Sequence, residues 1–144
     1  MQSNLWDESA IPQSQNGAII DESGIYRYSL WRVWNERKPR ILWIMLNPST
    51  ADATQDDNTL RRCINFSKKW GYGSLEIVNL FAFRATKPVE LIRATQQGID
   101  RVGPENNDYI EKAIDQAQTI VVAWGNIGST MGDRELEVLN YLRK

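Results

Sequence analysis

Three phrases in this chain combine a hydrogen-bonding amide with a nearby ring: Asn47-Pro48-Ser49, Asn79-Leu80-Phe81 and Trp124-Gly125-Asn126. An Asn side chain offers both donors and an acceptor, while Phe81, Phe83 and Trp124 supply flat apolar surface. That mixture suits a planar heterocycle, which needs directional bonds at its edge and a greasy wall against its face. Each Asn taken singly is equally a turn cap, because its side chain bonds readily to neighbouring backbone. Arg84 adds a guanidinium able to pair with phosphate. The candidate ligand-binding set is Asn47, Ser49, Thr50, Asn79, Phe81, Phe83, Arg84, Trp124 and Asn126.

Asp52, Asp56 and Asp57 follow the first phrase closely. Carboxylates there can orient a water or hold Mg²⁺ through a polyphosphate, though their spacing matches no specific metal loop. A solvated loop with a helix cap accounts for them as well. Asn47 and Asp52 are the catalytic candidates, Asp52 because it follows the turn most directly. The Gly-rich run 125–132 can cradle an anion with its backbone amides, or simply connect two elements. It lacks the Lys-Ser/Thr ending of a P-loop. Arg61, Arg62, Lys68 and Lys69 read as an ordinary solvated helix face, and Cys63 as a core residue.

The elements that would position these groups follow from periodicity. Residues 1–24 form a polar arm with a short strand near 18–20, and 25–144 a single α/β domain. Residues 26–34 alternate, 40–46 are apolar almost throughout, and the turn at 35–39 suggests a hairpin between them. A helix over 58–70 capped by Asp56 or Asp57, then a strand over 75–80, makes a strand–helix–strand unit. A short helix from Pro88 to Ala94, a clearer one over 105–117, a strand over 119–124 and a last helix led by Asp133 complete the pattern. In that last helix Leu136, Leu139 and Leu142 are expected inward. A three-layer α/β sandwich with a mostly parallel central sheet follows.

Composition narrows the chemistry. With 17 basic and 18 acidic residues, there is no strongly positive surface overall to grip nucleic acid. The absence of His excludes imidazole catalysis and ordinary His–metal sites, and one Cys excludes a disulfide framework. No metal or cofactor is called for. No secretory leader or membrane-length apolar run is visible, so the cytoplasm is the expected location. Six Trp residues are many for 144, and rings such as Trp6, Trp31 and Trp34 are candidates for a homodimer or partner surface.

The block 45–54, then Asp56-Asp57, Thr59, Arg61-Arg62-Cys63, Trp70-Gly71-Tyr72-Gly73, the run 78–86, Val102-Gly103-Pro104-Glu105-Asn106 and Trp124-Gly125 resembles the DUF1643 family of bacterial, archaeal and phage proteins. The likeness covers about residues 25–126 and carries no activity with it. More distantly, the chain is similar to the uracil-DNA glycosylase superfamily. That similarity implies a glycosylase-like fold, with Asn47 positioning an attacking water and Pro48 shaping its turn. Asn79-Leu80 and Trp124-Gly125 resemble later strand ends of that superfamily. Its substrate-gripping His-Pro motif, usual in DUF1643 sequences too, has no counterpart among these residues.

Three functions follow as expectations. The first is binding of a nucleotide, nucleobase or nucleotide-derived small molecule at the C-terminal rim of the sheet. The second is N-glycosidic hydrolysis, with Phe81 or Phe83 stacking on the base. The third is a non-catalytic protein-interaction module.

Overall fold

The computed structural model describes residues 16–125 and 132–143. Among these residues five strands form one open sheet: β1 (Gly17–Ile20), β2 (Arg27–Val33), β3 (Arg40–Met45), β4 (Ser74–Asn79) and β5 (Thr119–Val122). Among the described residues four helices accompany them: α1 (Asn58–Lys69), α2 (Pro88–Gln96), α3 (Asn106–Gln116) and α4 (Arg134–Leu142).

The strand order is β1-β2-β4-β3-β5. β4 pairs in parallel with β3, and β3 with β5, whereas β1–β2 and β2–β4 are antiparallel. The sheet is therefore mixed, not mostly parallel as the apolar runs suggested. The expected hairpin is also absent. β2 and β3 are consecutive in sequence, but β4 lies between them.

Gly73 explains how the third strand enters. Its carbonyl accepts from the amides of Trp34 and Asn35, and its own amide donates to Pro39. A Cβ at this position would collide with the Asn35 carbonyl and sit 2.7 Å from Lys38 Cβ. Only glycine lets the chain pass between the end of β2 and the start of β3. The turn at 35–39 is real, but it opens onto β4 rather than closing a two-strand pair.

Apolar residues line both faces. Leu30, Ile41, Trp43, Leu75 and Ile77 pack with Leu60 and Cys63 of α1. On the opposite face Leu42, Ile44 and Val78 pack with Leu91 of α2, Ile110 of α3 and Val138 of α4. Among the described helices α1 alone packs on the first face, and its N-terminus reaches the rim where β3 and β4 end. In α4, Leu139 and Leu142 pack inward as expected and Val138 is fully buried with them, but Leu136 is 54% exposed.

Candidate functional site

Asp57 fixes the start of α1. Its carboxylate accepts from Leu60 N at 2.9 Å, capping the helix, and from Ala51 N at 3.2 Å. The loop between β3 and α1 is held from beneath by Arg32, buried in β2. Its guanidinium donates to the carbonyls of Asp52 and Gln55 and pairs with Asp56 at 3.0 Å. A strand residue thus straps the loop to the sheet. Across the rim, Asn47 Nδ2 donates to the carbonyls of Pro48 (3.0 Å) and Ala85 (2.9 Å), tying together the segments that follow β3 and β4. Both amide protons are used, and Oδ1 is left as an acceptor.

Between these segments lies a cavity of about 270 Å³. Leu30, Met45, Leu60, Ile77 and Ala123 form its apolar wall, while Arg27, Asn47, Ser49, Asp57, Thr59, Asn79 and Thr86 supply the polar groups. Arg27 was not expected here. In the alternating reading of β2, an Arg between two Tyr residues looks solvent-facing. The β1–β2 register breaks instead: Ile19 opposes Ser29 but Ile20 opposes Arg27, so Tyr28 is an extra residue in β2. Such a bulge re-aims the side chains beyond it. Tyr28 stacks on Tyr109 of α3, while Arg27 lines the cavity beside α1.

Arg27 is 4% exposed. One terminal nitrogen donates to Ala51 O at 3.2 Å and the other lies 3.4 Å from Asn79 Oδ1. Nε has no hydrogen-bond partner. Burial pulls this guanidinium down to about 10; Asp57 opposes the shift, while Arg84 and Arg32 add to it. At neutral pH it is a buried cation with a donor unused. Asn79, 2% exposed, turns its Oδ1 towards Arg27, which sets the orientation of its amide.

A shallower groove of about 360 Å³, lined by Gly24, Thr50, Arg84 and Glu90, shares Ser49, Ala85 and Thr86 with the cavity. Arg84 is anchored there by the carbonyls of Ser49 (3.3 Å) and Gly24 (3.2 Å).

The sequence-derived set is thereby divided. Asn47, Ser49 and Asn79 meet in the cavity, and Thr50 and Arg84 in the groove. The aromatic members lie elsewhere. Phe81, Phe83 and Trp124 pack into the core on the opposite face, Trp124 Nε1 bonding Glu135 at 3.2 Å and Phe81 lying under the Arg101 guanidinium at 4.6 Å. Asp52 does not line the cavity; its Oδ1 accepts from the amides of Thr54 and Gln55. These bonds hold its carboxyl below the usual carboxylate range. Asn126 and most of the Gly-rich run lie outside the described residues, as does Trp6.

The model of DUF1643, described as a protein of unknown function, matches residues 27–144. The chain belongs to this family. Its match begins at Arg27, the residue on the cavity floor. No curated protein and no solved structure matches the chain. Several DUF1643 phrases noted in the sequence have structural work to do around the cavity. Asn106 Nδ2 donates to the carbonyls of Asn79 (2.9 Å) and Leu80 (3.2 Å), fixing the end of β4. Among the described residues no cluster of potential ligands could hold a metal, and no helix is long and apolar enough to cross a membrane.

Proposed function

We propose that this DUF1643 protein binds a nucleobase, nucleotide or nucleotide-derived small molecule, with the heterocycle in the cavity at the ends of β3 and β4. The observation that carries the reading is the unpartnered Nε of buried Arg27. A buried donor without a partner is costly, and a ligand atom that accepts from it would recover that cost. Asn79 Nδ2 would reinforce the preference for an acceptor edge, such as a ring carbonyl, and Asn47 Oδ1 would receive a ring N–H. The aliphatic walls would hold a flat ring without aromatic stacking. A phosphate attached to such a ring would reach the groove beside Arg84.

Calorimetry against free bases and their nucleoside monophosphates tests this. Single-site binding that favours carbonyl-edged rings over their amino-edged counterparts is the expected result. A flat response to the whole panel would remove the reading.

N-glycosidic hydrolysis on a glycosylase-like fold is the second reading, favoured by the free Asn47 Oδ1, a place for a water. It would leave Asp52 as an outer residue that shapes the loop, since its carboxylate is engaged by backbone amides.

A further inference from the structure

α1 carries Arg61, Arg62, Lys68 and Lys69 and no acidic residue, in a chain whose formal charge is −1. Phe66 and Trp70, 47% and 51% exposed, lie on the same helix and its cap. Thr59, Arg62, Phe66 and Trp70 are spaced i, i+3, i+7 and i+11, which puts them along one stripe, with Lys69 beside Trp70. Thr59 also lines the cavity. At 1.5 Å per residue the stripe runs about 16 Å from the cavity edge.

The rings are presented, not merely left over. One face of Trp70 stacks on Trp43 at 5.7 Å and 11°, which fixes the indole while half of it stays in solvent. Phe66 sits 5.5 Å away, tilted by 30°. Neither Arg62 nor Lys69 has an ion-pair partner among the described residues. Rigid exposed rings alternating with free cations match a polyanion whose repeating unit also carries a flat face.

We infer that this stripe binds single-stranded nucleic acid, with bases on Trp70 and Phe66 and phosphates on Arg62 and Lys69. The inference stands on α1 alone and does not depend on what fills the cavity. An acidic protein surface would satisfy the cations but leave the rings unused. A second copy of this chain would cover the rings but bring the four basic residues of each α1 together.

Anisotropy of a labelled oligothymidylate of about twelve nucleotides, a length within the single-strand site sizes of comparable surfaces, tests it. Salt-sensitive binding is expected, weakened at least about fivefold by Trp70→Ala and by Phe66→Ala and largely retained in Trp70→Phe, because stacking tolerates any ring. Arg62→Gln, which leaves both rings in place, should reduce the slope of log affinity against log salt by about 0.7. Thermal melting of each variant separates loss of binding from loss of fold. No anisotropy change up to about 0.1 mM protein would overturn the inference. So would equal binding by the native chain and the folded ring variants, or sedimentation showing a dimer that Phe66→Ala disperses while the oligonucleotide stays free.

Discussion

The guanidinium of Arg27 reaches across from β2 to the Asn79 side chain, which ends β4, with 3.4 Å between the terminal nitrogen and Oδ1. This pairing orients the Asn79 amide, while Nε of Arg27, a residue that lines the cavity, is buried without a partner. Two antiparallel neighbours thereby build a floor that neither strand could supply alone. The bulge at Tyr28 is what makes it possible.

Gly73→Ala should be among the most damaging small substitutions in the chain. The new methyl would overlap the Asn35 carbonyl, which is backbone and cannot rotate away. Overpacking of this kind costs about 1–3 kcal/mol, and the upper part of that range is expected here. Urea unfolding should show a lower midpoint with an unchanged slope.

Asp57→Ala removes a helix cap and the amide acceptor for Ala51 together. Loss of the cap alone costs about 1 kcal/mol. It also removes the nearest carboxylate that favours the Arg27 charge, so stability and ligand affinity should fall together. Asp57→Asn, which keeps a capping oxygen, should recover most of the stability but not the affinity.

Arg32→Met should loosen the loop over 51–57 while sparing the sheet. The substitution strips partners from the Asp52 and Gln55 carbonyls and from Asp56. Breaking one side of a buried charged network costs about 3 kcal/mol. Amide exchange should accelerate first at the residues of this loop, with the β3 and β4 amides protected longest.

Cys63 of α1 is buried against the sheet, and burial pushes its thiol up to about 11. In the unfolded chain the thiol ionises near its ordinary value, at lower pH than in the fold. This group's contribution to stability is therefore intact below about pH 8.5 and is lost as pH rises towards 11. Alkylation of the native protein at pH 8 should be at least about a hundredfold slower than alkylation in denaturant. A native rate near the denatured one would show that Cys63 is accessible.

The elements were largely legible because burial imposes period. The strands, the four helices and the Asp57 cap all leave a local signature. Strand order did not, since the placement of β4 depends on a close approach at Gly73 that no neighbouring residue announces. The site was half legible. Asn47 and Asn79 are visible as polar residues at the ends of apolar runs. Trp124 misled because the alternation of β5 continues past its end and sends it to the far face, whereas Phe81 follows Leu80 into that face because the alternation of β4 stops after Asn79. Arg27 was hidden by the bulge, for which the sequence Tyr26-Arg27-Tyr28 carries no signal. Trp31 and Trp34 are half-buried, the latter bonding Tyr72 O at 2.9 Å; among the described residues the exposed indole is Trp70.

Arg27's role in the cavity is tested most directly by measuring the affinity of the best-bound carbonyl-edged base for the native chain and for Arg27→Met. Methionine fills much of the same length without a donor, so the cavity walls should persist. Loss of a hydrogen bond to a charged group weakens binding by about tenfold to a hundredfold, and a fall of that size is predicted. Equal affinity in the two folded proteins would contradict the role given to Arg27, and with it the reading of the cavity.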